Sequence, residues 1–159
     1  MTRASLWGWV ATSSAVSLIL ALVPLHPTVM YFRPEIVALI AIYWVITVPF
    51  SVGMVYAWAL GLVVDIAEGA VLGQNALALA IIAYIAGVLH QRFRMFSLWQ
   101  QTLSVFLLVV IHQFINHWVQ SISGNRTDSM AFLLPAIPSA LLWPLIPALL
   151  GRFIRAWPT

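Results

Sequence analysis

Long apolar stretches alternate along the chain with short polar or proline-rich breaks, and the breaks mark out six segments. The first covers roughly 6–23 and ends at Pro24-Leu25-His26-Pro27, where two prolines remove backbone donors and stop a helix. The second covers about 35–48. It opens at Arg33-Pro34-Glu35, where proline suits a first helical turn and an acid suits the positive end of the helix dipole. It stops at Pro49. The remaining segments cover about 52–66, 75–89, 98–119 and 130–150. Segments two and three are short: about 14 residues rise roughly 21 Å, against a hydrocarbon core of roughly 30 Å. Merged, they form one helix of roughly 48 Å with Pro49 and Gly53 in its middle. A tight helical hairpin turning at 49–53 is the better expectation. The pattern predicts an all-α polytopic membrane protein with six transmembrane helices in a single domain over 1–159.

Composition strengthens that reading. Of the 159 residues, 63% are hydrophobic and 7% charged, where soluble domains average about 45–50% apolar and about 25% charged. Apolar surface on this scale needs lipid to cover it. Met1-Thr2-Arg3 ahead of an apolar run resembles a secretion signal, but the run is too long and lacks a small-x-small cleavage site before Pro24, so a retained first span is expected. Cysteine is absent, which excludes a disulfide framework, a thiolate metal site and a cysteine nucleophile.

Every basic residue is an arginine, and none lies in a run that could track a nucleic-acid backbone, so no nucleic-acid partner is expected. The arginines serve as topology markers. With six spans and the N-terminus inside, Arg3, Arg92, Arg94, Arg152 and Arg155 are cytoplasmic, while Arg33 and Arg126 are outside. Five spans with the N-terminus outside score equally, because Arg3 and Arg33 exchange sides. Helix length and the arginine ahead of the first span favour six, with both termini cytoplasmic. Trp7, Trp9, Trp99 and Trp157 then lie near the cytoplasmic interface and Trp118 near the other, while Trp44, Trp58 and Trp143 are expected to pack between helices.

Asp65 is the one awkward charge. It ends segment three within Gly61-x-x-x-Asp65-x-x-x-Gly69-x-x-x-Gly73, and the glycines after it read as a loop dipping against the bundle. Two readings stay open: a buried anchor or partner contact, and a solvated interfacial acid beside Glu68. Arg33, on the same side, is its most attractive mate. Gly53-x-x-x-Ala57-x-x-x-Gly61 puts small residues on one helix face, a packing motif whose neighbour could be intramolecular or another chain. On segment five, His112, Asn116 and Gln120 are four apart and share a face flanked by Gln113 and His117. That stripe reads as interhelical hydrogen bonding near a wet helix end, or as a metal or proton-relay site.

Neither HExxH, GxSxG nor a phosphate-cradling glycine loop is present, so no catalytic residue, metal or cofactor is expected. His26 and His90 sit at segment ends. Arg92-Phe93-Arg94 reads as a cytoplasmic loop and topology anchor. Asn125-Arg126-Thr127 matches a glycosylation acceptor, a triplet common by chance. Pro135, Pro138, Pro144 and Pro147 predict a kinked last helix.

Several local patterns, in order, resemble the rod-shape-determining MreD family. They are Phe32-Arg33-Pro34-Glu35, Ile42-Tyr43-Trp44, the Gly61/Asp65/Gly69/Gly73 pattern through Leu72, Ala83-Tyr84, Leu98-Trp99-Gln100-Gln101 and Leu142-Trp143-Pro144. Each is weak alone; their order and spacing cover essentially the whole chain and suggest a Gram-negative version.

The resemblance implies a multi-pass protein of the bacterial inner membrane, with a fold similar to the S components of energy-coupling-factor transporters. It implies a non-enzymatic scaffold of the cell-elongation machinery that supports rod shape and peptidoglycan synthesis. It also implies MreC, a bitopic protein, as direct partner, with MreB, RodA and a class B penicillin-binding transpeptidase in the wider assembly, amid membrane lipid. No catalytic residue carries over. Arg33, Pro34, Glu35, Gly53, Ala57, Gly61, Asp65, Gly69 and Gly73 become candidate structural or interface positions, and bulk at Ala57 or Gly61 is expected to weaken an MreC complex. The alternative, argued from the S-component likeness, is a small-molecule binder. It needs convergent polar groups, and Arg33, Glu35, Gln74, Asn75 and the segment-five stripe are those on offer. A third option is a lipid-precursor site with Arg92 and Arg94 as headgroup contacts.

Overall fold

A helix that is apolar on every side belongs inside a bundle, and the stretch Ile36–Thr47 is such a helix. The computed structural model describes residues 3–124 and 129–156, and among them the chain is all helical. The elements are α1 (Arg3–Leu22), α2 (Pro27–Met30), α3 (Ile36–Thr47), α4 (Met54–Glu68), α5 (Gln74–Met95) and α6 (Leu98–Ile122). A 3-10 turn at Met130–Leu133 precedes α7 (Ala136–Leu142) and α8 (Leu145–Ala156). Every residue from Val37 to Val45 is buried, and α1, α5, α6 and α8 pack around this central helix. The Asn125-Arg126-Thr127 triplet and Trp157 lie outside the described residues.

Among the described residues three helices are long and apolar enough to cross a membrane: Ala4–Leu22, Gln74–Met95 and Leu98–Ile122. The proline-rich end makes up to a fourth if it is one broken span, bent by 46° between Leu142 and Leu145. Trp143-Pro144 sits at that break, as the prolines predict. The six spans expected from the apolar pattern are not reached by length. α3 has 12 residues and α4 has 15, rises of roughly 18 and 22 Å. α3 and α4 are nevertheless separate helices, parted at Pro49 and Gly53 rather than merged.

Three expectations need correction. Arg92 and Arg94 are not in a loop. α5 continues to Met95, so both sit in its last turn, where cations oppose the helix dipole favourably. Arg94 also donates to the Thr47 carbonyl at 3.2 Å, tying the end of α5 to that of α3. Trp58 does not pack between helices; it is 49% exposed, whereas Trp44 and Trp143 are buried as expected. Depth along a helix does not reveal which face a side chain is on. The Gly53/Ala57/Gly61 face is not free for another chain. Ala57 is fully buried, and a Cβ on Gly61 would come inside contact distance of Ala76 Cα, 2.5 Å from Ala76 N and 2.6 Å from Asn75 O. The backbones of α4 and α5 touch there.

Polar side chains close the remaining helix contacts. Trp44 Nε1 donates to Ser13 Oγ at 2.8 Å, and Ser14 shares a 2.5 Å hydrogen bond with Tyr56, so α1 is held by α3 and α4. Ser97 and Gln100 form a capping box at the start of α6. Gln101 donates to the Phe93 and Phe96 carbonyls and accepts from Trp143 Nε1 at 3.3 Å, joining the α5–α6 turn to the end of α7.

Gly61→Ala should lower stability by about 1–3 kcal/mol through overpacking. Gly87→Ala should be neutral or gain up to about 1 kcal/mol, because a Cβ there meets only Val45 Cγ1 at 3.6 Å and alanine is the better helix former. Thermal unfolding of the two variants in detergent checks the contrast.

Candidate functional site

The first turn of any helix leaves backbone N–H groups without helical partners. α5 begins inside the bundle, so those groups need another source. Asp65 supplies it from the last turns of α4. Its Oδ2 accepts from Gly73 N at 2.9 Å and from Ala76 N at 3.3 Å, and its Oδ1 accepts from Asn75 N at 2.9 Å. Gln74 N reaches the Val71 carbonyl and Leu77 N the Gly73 carbonyl, which completes the turn. Asp65 is 1% exposed. It is therefore a buried anchor and not a solvated acid. A negative carboxylate at a helix N-terminus is favourable both as acceptor and against the dipole. The connection requires left-handed backbone at Gly69 (φ 64°) and Gly73 (φ 95°), which glycine adopts without strain.

Arg33 is not the mate of Asp65. Its guanidinium donates to the Leu20 carbonyl at 2.8 Å, fastening the segment before α3 to the end of α1. Backbone donors already surround the Asp65 carboxylate, which leaves no need for a cation.

Directly beside this corner lies a polar cavity of about 220 Å³. α3 contributes its N-terminal approach, Arg33, Pro34 and Glu35; α5 contributes Gln74 and Asn75; α6 contributes His112, Gln113, Asn116 and Gln120; Glu68 closes one side. The stripe predicted on segment five thus faces the cavity, and Arg33 to Glu35 meet it there. Gly61 and Asp65 do not line the cavity but fix the α4–α5 contact beside it, while Gly53 caps the far end of α4 and Ala57 lies in the core. Gly69 and Gly73 shape the turn.

Hydrogen bonds cross the cavity wall. Gln113 Nε2 donates to Glu35 Oε1 at 2.7 Å, and Asn116 Nδ2 donates to Asn75 Oδ1 at 3.1 Å. The Glu35 backbone N–H donates to Ser139 Oγ at 2.8 Å, and that hydroxyl donates to the Pro135 carbonyl. His117, the other flank of the stripe, turns away and stacks on Phe132 at 4.1 Å. Ser139, which is fully buried, is the participant not singled out from the sequence; a hydroxyl within a proline-rich apolar run was its only signal there. Glu68 lies past the apolar stretch that ends at Ile66. Partial withdrawal from water, reinforced by the nearby Glu35, holds its carboxyl above the usual carboxylate range. Among the described residues no group of three or more His, Cys, Asp or Glu could hold a metal ion. The arrangement is suited to hydrogen bonding with both donors and acceptors.

The family model for rod shape-determining protein MreD matches residues 2–153. A rod shape-determining protein MreD from Haemophilus influenzae is 29% identical over 149 residues, covering 94% of this chain and 92% of that relative. No solved structure matches the chain.

Asp65→Ala leaves three backbone donors without their acceptor and should lower stability by about 1–3 kcal/mol per group that water does not rescue. Asp65→Asn should also destabilise, because its NH₂ group opposes an N–H donor. Exchanging the two residues, Arg33→Asp with Asp65→Arg, should restore nothing. Unfolding midpoints of the single and double variants check all three outcomes, and recovery in the exchange would establish an Arg33–Asp65 ion pair.

Proposed function

The chain belongs to the MreD family of rod shape-determining proteins, and from that premise we propose that it is a non-enzymatic scaffold of the cell-elongation machinery that binds the transmembrane helix of MreC. A role in rod-shape determination and residence in a membrane follow from the family and from the apolar helices. The finer reading is a multi-pass inner-membrane protein with six helical crossings and both termini cytoplasmic. What supports six is the burial of α3: a helix enclosed by others need not match the full lipid thickness. Through MreC the chain would connect MreB, RodA and the class B penicillin-binding transpeptidase to peptidoglycan synthesis.

The observation that carries the MreC reading is an apolar groove of about 350 Å³ between α1, α3 and α8. Its α1 wall is Trp9, Thr12, Ser13, Val16 and Ser17; Ile36, Ile40 and Leu149 face it. The hydroxyls of Thr12, Ser13 and Ser17 are satisfied by carbonyls of their own helix. Beyond Trp9 that wall is therefore small-sided and apolar in effect, the surface on which a membrane helix packs closely. α1 is also the least covered of the long helices, with Val16 and Ile19 more than half exposed. The Gly53/Ala57/Gly61 face is occupied by the chain itself and drops out as a docking surface.

Val16→Trp fills the groove from an exposed position and should cut MreC co-purification about tenfold, a loss of about 1.4 kcal/mol, with an unchanged unfolding midpoint. Undiminished MreC recovery with this variant would remove the groove from the proposal.

A further inference from the structure

We propose that the polar cavity beside α5 binds a small neutral molecule bearing hydroxyl or amide groups, either free or as the headgroup of a lipid. Two observations on α6 carry this. His112 is 2% exposed and lines the cavity, yet its Nδ1 has no hydrogen-bond partner. One turn further on, Asn116 Oδ1 is also buried and unpartnered. Turning the Asn116 carboxamide over together with that of Asn75 keeps their mutual bond and exchanges the free oxygen for a free NH₂ group. In either orientation one polar group of Asn116 calls for a partner from an occupant. Native proteins leave few such atoms unmet, and each unmet one costs about 1–3 kcal/mol.

The chemistry of the occupant follows from the walls. Arg33 offers donors, whereas the Glu35 and Glu68 carboxyls offer acceptors, so the walls lack the converging cations that would select a free anion. An apolar occupant would leave His112 and Asn116 unmet. A hydroxyl both donates and accepts, so it satisfies Asn116 Oδ1 and a histidine nitrogen in either tautomer; a secondary amide presents the same pair of functions. The cavity of about 220 Å³ has room for roughly seven waters at ~30 Å³ each, hence for a compact polar molecule. The cavity shares only Ile36 with the α1–α3–α8 groove, and Asn116 and Gln120 line the cavity alone, so its failure and that of the MreC reading are distinguishable.

The test uses the full chain in detergent with ¹⁵N-labelled histidine, the His112 ring resonance being followed by NMR. Glycerol and N-methylacetamide are titrated as free probes; in a second arm, nanodiscs containing phosphatidylglycerol are compared with nanodiscs containing phosphatidic acid, which carries the phosphate without the headgroup glycerol. A saturable His112 ring shift with a free probe identifies a soluble ligand class, and a shift confined to phosphatidylglycerol identifies its glycerol headgroup. Asn116→Leu should weaken the response at least about tenfold while MreC co-purification persists. Gln120→Leu, on the same wall, serves if Asn116→Leu fails to fold. Absence of any saturable shift with all probes, or the same shift in wild type and both variants, overturns the proposal and leaves a cavity that holds water alone.

Discussion

A single carboxylate lets a helix begin in the interior of this protein. α5 starts where bulk water cannot satisfy its first N–H groups, and Asp65 accepts three of them while being almost wholly buried itself. The desolvation of the acid is offset by donors that have equal need of it. Gly61, one turn earlier on α4, permits the approach that makes this geometry possible, because any side chain there would strike the backbone at Asn75 and Ala76. Gly69 and Gly73 supply the backbone conformations that turn the chain between the two helices. Four residues at a spacing of four therefore form one device, in which close packing, reversal and capping depend on one another.

That corner positions the rest of the polar interior. With α5 fixed at its start, Gln74 and Asn75 face α6, and Asn116 can reach Asn75. Glu35 is held by Gln113 through its side chain and by Ser139 through its backbone, which joins α3, α6 and α7. The opposite side of α3 has a different character: its groove with α1 and α8 is apolar, and the hydroxyls bordering it are turned to their own helix. One central helix thus separates a face built for helix packing from one built for hydrogen bonding.

Much of this was legible in the residues, for identifiable reasons. Pro24 and Pro27 marked the end of α1, and Pro49 with Gly53 separated α3 from α4. The four-residue period put Gly61 and Asp65 on one face and aligned His112, Asn116 and Gln120. What could not be read were contacts whose partner has no side-chain signature. Asp65 binds backbone N–H groups 8, 10 and 11 residues further along, a pattern without side-chain signature, whereas Arg33 stood out as the cation expected on the same side of the membrane. A short run such as Ile36–Thr47 looks the same whether lipid or protein surrounds it, which is why apolar segments outnumbered helices of spanning length. Arg92 and Arg94 ended the apolar pattern without ending the helix.

The most direct test of the Asp65 corner is amide hydrogen exchange at Gly73, Asn75 and Ala76 in the intact protein in lipid nanodiscs. N–H groups at an ordinary helix start exchange readily because water is their acceptor. With Asp65 as their acceptor, these three amides should be protected to the same degree as the interior amides of α5. Exchange as rapid as that of an uncapped helix end would contradict the claim that a buried Asp65 carboxylate holds the start of α5 in place.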